Sequence, residues 1–240
     1  MSAINSSTMH APPGPSDDAQ ALSRFHEWIP TLLSLIAGMV DLTGFLSLGN
    51  LFTAHITGNL AVIGALVVRG GRMNPGQVLA IPVFMTAVTA TWLIARASGR
   101  RGPSLMRLLL LIQFLLITCL LIFSVITKPS VDPHGLMATI AAMIAVSAMA
   151  CQFALLRLTL PIAPSTAVMT GNLTNACLAL LDANSRTPLT VGDTERLRGS
   201  LHLLIGFLAG CVVAAAAVTY LGDWAWSSPA VLAAVAVALS

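Results

Sequence analysis

The chain has 240 residues, of which 56% are hydrophobic and only 9% are charged, and its formal net charge is +3. A soluble domain carries about 25% charged residues, so this composition excludes a water-exposed globule and predicts a multi-pass protein of the lipid bilayer. The basic residues are scattered through short loops without a basic block, which excludes nucleic acid as a partner. The four cysteines lie singly in apolar stretches, which predicts buried free thiols and no metal site.

The first 28 residues are rich in Ser, Pro and Asp and are predicted to form a disordered cytoplasmic tail. The rest, 29–240, is predicted to be a single all-α transmembrane domain. Its apolar segments have the length of membrane spans, for which about 20 residues are needed. They are residues 29–48, 78–95, 108–127, 135–156 and 201–221, with 225–240 as a short sixth segment.

Two further segments carry the same tetrapeptide, Thr-Gly-Asn-Leu, at 57–60 and 170–173. Their uninterrupted apolar parts, 56–68 and 169–181, would each form a helix of about 20 Å, against roughly 30 Å of hydrocarbon. Glycine or proline lies in the residues that precede each of them. Each segment, called a TGN segment below, is therefore predicted to be a half-helix that follows a non-helical lead-in.

The distribution of basic residues favours TGN segments that dip into the membrane and return. Six spans would place nine Lys and Arg on the side of the N-terminus and three on the other side, whereas eight spans would give seven and five. The first distribution obeys the positive-inside rule with both termini cytoplasmic. Three spans per half would invert a second repeat, about 135–240, relative to a first, about 29–127. Inverted repeats with broken helices are a common plan of transporters.

Polar residues around the two breaks are the candidate solute ligands. Threonine hydroxyls at the TGN segments can cap the half-helices, glycine allows close approach, and the asparagine amide both donates and accepts hydrogen bonds. The positive end of the helix dipole favours a neutral polar or anionic solute. The alternative is that these residues pack helices together. The candidate residues are Asp41, His55, Thr57, Gly58, Asn59, Thr170, Gly171 and Asn172.

Asp41 is the one acidic residue inside a predicted span. A carboxylate at membrane depth is costly and usually faces a cavity or a partner. It is predicted to couple protons or to bind a cation, together with His55; the alternative is that it pairs with the backbone of a broken helix. The equivalent residue of the second repeat is Ala154, so only the first repeat would titrate in this way.

The pattern GMVDLTGFLSLGNLFTAHITGNLAVIGAL, followed about 110 residues later by a second MTGNL, resembles the YoaK-like family of bacterial inner-membrane proteins, a domain of unknown function. The likeness covers most of 29–221, and its most specific parts are Gly38, Asp41 and the first TGN segment. The resemblance implies a six-span protein of the bacterial cytoplasmic membrane, described as a candidate permease, with no established substrate or reaction.

Two functions are compatible with these features. The first is a secondary transporter or permease for a small polar or anionic solute, coupled to protons through Asp41. The second is a membrane scaffold or interaction protein in which the TGN segments are packing elements. No ATP-binding motif is present, so transport would be driven by an ion gradient or by the gradient of the solute itself. An intramembrane enzyme needs paired acids, a His-rich metal cluster or a Ser/His set, whereas the spans offer one Asp and very few His, so neither an enzyme nor a cofactor is predicted.

Overall fold

The computed structural model describes residues 17–70, 75–160, 166, 169–183 and 191–240, and within them the chain forms α-helices and short 3-10 turns without a strand. This confirms the predicted all-α, polytopic membrane fold. The helices are α1 (Asp17–Ser47), α2 (Ile56–Arg69), α3 (Pro75–Ala97), α4 (Pro103–Thr127), α5 (Leu136–Thr159), α6 (Met169–Ala183), α7 (Val191–Leu221) and α8 (Ser227–Leu239). Helix α1 begins inside the predicted N-terminal tail, of which residues 1–16 lie outside the described residues.

Five helical stretches in the described chain are long and apolar enough to cross a membrane. They are Trp28–Ser47, Pro75–Ala97, Pro103–Thr127, Leu136–Thr159 and Leu197–Leu239. The last has 43 residues and contains the 3-10 turn Gly222–Trp226, which separates α7 from α8. With 13, 14 and 15 residues, helices α8, α2 and α6 are each about 20 Å long, shorter than the hydrocarbon layer.

Helices α1 and α7 run parallel. In the N-terminal half of each helix, the Trp28 ring stacks on the His202 ring, with centroids 5.5 Å apart. Further along both helices, the Cys211 thiol donates to the Gly38 carbonyl oxygen at 3.6 Å. The contacts advance in the same direction on both helices, so the two helices cross the bundle with the same polarity.

Glycine allows the backbones of α1 and α7 to approach closely. A Cβ atom added to Gly38 would overlap the carbonyl oxygen of Phe207, and one added to Gly210 would overlap that of Leu35. Small residues at such contacts are the usual means by which membrane helices associate, because lipid provides no hydrophobic drive between them.

Helix α5 is the most buried of the five spans, and α3 is the most exposed. A polar contact fixes α5 at the centre: Gln152 donates through Nε2 to the Leu33 carbonyl oxygen of α1 at 2.9 Å. Its Oε1 accepts from Gln113 Nε2 of α4 at 2.7 Å. These bonds join three helices through buried side chains.

The helix contacts show a regular pattern. Helix α1 packs on α7 and α5 on α3; α2 packs on α3 and α6 on α7; α4 packs on α5 and α8 on α1. If α1, α2, α3 and α4 are exchanged for α5, α6, α7 and α8, respectively, each of these contacts becomes the one given beside it. The two halves of the chain therefore make equivalent contacts.

The α1–α7 contact leads to a stability prediction. We expect Gly38→Ala to destabilise the protein by about 1–3 kcal/mol, because its methyl group overlaps a backbone oxygen that cannot rotate away. Gly64→Ala is the control: that position in α2 has open space around it, and alanine is favoured over glycine in a helix by about 0.5–1 kcal/mol. Thermal unfolding in detergent measures both, and an unchanged midpoint for Gly38→Ala would contradict the packing described.

Candidate functional site

A buried, non-helical segment separates α1 from α2. After Ser47 the chain reverses at Gly49 and Asn50, whose φ angles are 71° and 57°, and it returns along α1 over residues 48–55. Most of this segment is buried. An irregular backbone at membrane depth needs partners for its N–H and C=O groups, because no water is there to provide them.

The carboxylate of Asp41 provides several of those partners. It is 4% exposed, and its Oδ1 accepts from the backbone N–H groups of Thr53 and Ala54, both at 2.7 Å. Its Oδ2 lies 2.7 Å from His55 Nδ1. Hydrogen bonds to an ionised acceptor are roughly twice as strong as neutral ones. Asp41 thus both binds the backbone of the break and contacts His55, as two of the sequence interpretations require.

The amide of Asn59 binds the same segment from the other side. Asn59 is fully buried; its Oδ1 accepts from the Phe52 N–H at 2.9 Å and its Nδ2 donates to the Phe52 carbonyl oxygen at 2.8 Å. The side chain therefore pairs with one residue of the backbone much as a neighbouring strand would. Both polar atoms of the amide are engaged with the protein itself.

The other residues of the first TGN segment have different surroundings. Helix α2 begins at Ile56, with His55 at the N-cap position and no side-chain cap hydrogen bond. The prediction that Thr57 caps this helix is therefore wrong: the helix starts one residue before it, and Thr57 lies exposed in the first turn. A Cβ on Gly58 would lie 2.9 Å from the Phe52 ring, so glycine leaves room for that ring.

The second TGN segment is described only from the start of α6, at Met169. Thr170 is exposed, Gly171 half-buried and Asn172 buried, which is the order of exposure found in the first segment. Most of its predicted lead-in, residues 161–165 and 167–168, lies outside the described residues.

A cavity of about 430 Å³ lies between α1, the segment 48–55 and α7. Ligand sites are typically cavities of about 300–1,000 Å³ with mostly apolar walls and a few placed polar groups. The Phe45 and Phe52 rings, 4.9 Å apart, form one wall, and Phe207 meets the His55 ring at 5.2 Å on another. The lining residues are Asp41, Leu42, Phe45, Phe52, His55, Gly58, Phe207 and Cys211.

Three of the sequence candidates, Asp41, His55 and Gly58, line this cavity together. The aromatic walls were missed by sequence reasoning. Phe45 follows Asp41 by four residues and so shares its helix face, a signal that could have been used. Phe207 belongs to α7, and no sequence pattern indicated that it lies beside His55. Within the described residues, no group of three or more His, Cys, Asp and Glu side chains could hold a metal ion.

These features define a polytopic α-helical membrane protein in which a buried aspartate, paired with a half-buried histidine, holds a helix break beside a ligand-sized cavity. Residues 29–239 match the family described as "Protein of unknown function (DUF1275)", and the chain belongs to this family.

A curated relative agrees with this assignment. The chain is 34% identical over 76 residues to the UPF0700 transmembrane protein YoaK of Bacillus subtilis (strain 168). The match spans 31% of this chain and about a third, 34%, of that protein. No solved structure matches the chain. The YoaK-like resemblance of the sequence is thereby confirmed.

The contacts of Asn59 lead to a second stability prediction. Asn59→Ala leaves the N–H and C=O of the half-buried Phe52 without these partners, and we expect a cost of about 1–3 kcal/mol per group. We expect Thr57→Ala, in the exposed neighbour, to change stability by less than about 0.5 kcal/mol. Unfolding of both variants in detergent separates the two positions; equal effects would show that the amide pairing contributes nothing.

Proposed function

We propose that the protein is a secondary transporter or permease, and that its solute binds in the cavity between α1, the segment 48–55 and α7. The observation that carries this proposal is the coincidence of three features: a cavity of ligand size, a helix break beside it, and a buried carboxylate paired with a partly exposed imidazole in its wall. Charged residues at membrane depth commonly mark solute or proton pathways.

The chemistry of the wall indicates the class of solute. Both oxygens of Asp41 are engaged, Oδ1 by backbone N–H groups and Oδ2 by the His55 ring. Among the described lining residues, the polar group that remains available is the other edge of the His55 imidazole, whose side chain is 31% exposed. Around it lie three phenylalanine rings. A small neutral or anionic solute with an apolar body and one hydrogen-bonding group fits this wall best.

The Asp41–His55 pair supplies a route to proton coupling. With Nδ1 held 2.7 Å from Asp41 Oδ2, a proton on Nε2 makes the imidazole cationic and leaves the carboxylate as its counter-ion. A solute that accepts a hydrogen bond from Nε2–H binds the protonated ring better, so solute binding takes up a proton. The second half of the chain has Ala154 at the equivalent position, so this step belongs to the first half.

One hydrogen bond and the pattern of helix packing support a re-entrant α2 and an inverted repeat. Gln77, in the first turn of α3, donates through Nε2 to the carbonyl oxygen of Asn50, which follows the end of α1, at 3.3 Å. If α3 starts where α1 ends, then α2 returns to that side instead of crossing. The exchange pattern of helix contacts supports two equivalent halves, and three crossings per half invert the second.

The re-entrant arrangement predicts opposite locations for Arg69 and Arg198. Single cysteines replace these residues in a variant without the native cysteines, and intact cells are treated with a membrane-impermeant maleimide. We expect labelling at 69 in intact cells, and at 198 only after permeabilisation, because α2 returns to the outer face and both termini are cytoplasmic. Labelling of both positions on the same side would mean that α2 crosses the membrane and would refute the inverted repeat.

Solute binding is tested by thermal unfolding of the purified protein with a panel of small neutral and anionic solutes at pH 6 and pH 8. A ligand at 100 times its Kd stabilises the protein by about 2.7 kcal/mol. We expect one class to stabilise the parent more at pH 6, and Asp41→Asn to abolish that difference while its amide oxygen still accepts from Thr53 and Ala54.

Thr57→Ala is the control and should keep the pH dependence, since Thr57 does not line the cavity. A pH-dependent shift that persists in Asp41→Asn would exclude coupling through the pair.

One observation favours a second function, that of a membrane scaffold. The Asn59 amide is wholly engaged with Phe52, so this part of the TGN segment acts as architecture. If no solute stabilises the folded protein, the scaffold is the better proposal, and the cavity is then only a consequence of how the break packs.

A further inference from the structure

We propose that a groove between the C-terminal turns of α3 and α5 binds an anionic phospholipid, with the phosphate at Arg157 and one acyl chain along the apolar floor. This site is separate from the Asp41 cavity and does not depend on the transport proposal. The groove has a volume of about 230 Å³ and is lined by Val88, Trp92, Phe153, Ala154, Arg157 and Leu158.

The groove has the polarity of an amphiphile. Among the lining residues that the structure describes, Arg157 alone is charged, and the other five are apolar or aromatic. Arg157 belongs to the last turn of α5, at the end of the span, where lipid headgroups lie. Trp92 is 43% exposed, as expected of a tryptophan at the membrane interface. The Arg157 cation at the rim of this apolar groove complements the phosphate of a lipid, and the apolar residues complement its acyl chain.

A second cation lies beside the same tryptophan. The Arg96 guanidinium, in the last turn of α3, is 5.2 Å from the centroid of the Trp92 ring. In the part of the chain that the structure describes, no carboxylate pairs with either Arg96 or Arg157. Arginine binds phosphate through two parallel N–H donors, and basic pockets between membrane helices are known to hold anionic headgroups.

The position of the groove favours a lipid over a soluble anion. Helix α3 is the most exposed of the spans, and its outward face carries Met85 and Leu93, both more than half exposed. Leu158, in the groove itself, is also exposed. The groove therefore faces the hydrocarbon of the bilayer, and an occupant enters it laterally from the membrane.

The test is a lipid titration of the purified full chain in detergent, with thermal unfolding as the readout. Phosphatidylglycerol is the anionic probe, phosphatidylethanolamine the zwitterionic one, and inorganic phosphate the free anion. We expect phosphatidylglycerol to stabilise the parent at the lowest concentration. Arg157→Gln should raise that concentration about fivefold, the typical effect of one arginine near an anionic surface.

Arg107→Gln is the matched control, because Arg107 is an exposed arginine of α4 that does not line the groove; it should behave like the parent. Ala154→Phe fills the apolar floor without changing the charge, and it should also weaken the effect of phosphatidylglycerol. This variant provides the test if Arg157→Gln does not fold.

Three outcomes would overturn the proposal. An unchanged titration for Arg157→Gln, or for Ala154→Phe if the former does not fold, would exclude this groove as the site. Equal stabilisation of the parent by phosphatidylethanolamine would show that the lipid charge is not recognised. Stabilisation by inorganic phosphate that is lost in Arg157→Gln would identify a site for free anions instead of a lipid.

Discussion

The structure around the first TGN segment depends on one interaction, the hydrogen bonds that the backbone N–H groups of Thr53 and Ala54 donate to the Asp41 carboxylate. An unpaired backbone group in hydrocarbon costs several kcal/mol, so the chain can be irregular at this depth only if an acceptor is already there. A carboxylate meets that need, with each N–H at 2.7 Å. The start of α2 and the position of His55 both follow from this contact.

The opposite side of the segment is held by a neutral amide. Asn59 binds Phe52 through both of its polar atoms, and Gly58 leaves space for the Phe52 ring. The identities of Gly58 and Asn59 are therefore both accounted for by their contacts with Phe52. The packing and the site interpretations of the tetrapeptide are therefore compatible with each other. Asn59 at the start of α2 holds Phe52 in place, and Phe52 and Gly58 both line the cavity.

Length and hydropathy were enough to predict the long apolar helices, since a run of about 20 apolar residues has few other uses. The pairing of Asp41 with His55 was also predictable, because the sequence offers so few polar partners at membrane depth. The partner of Asn59 and the place of Phe207 were not. The first depends on the path of an irregular loop. The second depends on the close approach of α1 and α7 at Gly38. These two helices are distant in the chain: the hydrogen bond between Ser34 and Leu203 joins residues 169 positions apart.

The contact between the first and seventh helices has a consequence for how the protein is made. When α1 leaves the ribosome and inserts, the surface that Gly38 and Ser34 present has no partner, because α7 is still unsynthesised. The loop that covers Asp41 arrives within a few residues, but the closure of that face waits for almost the whole chain. A truncated product that lacks α7 thus exposes to lipid the helix face of Gly38 and Ser34, which the complete chain covers.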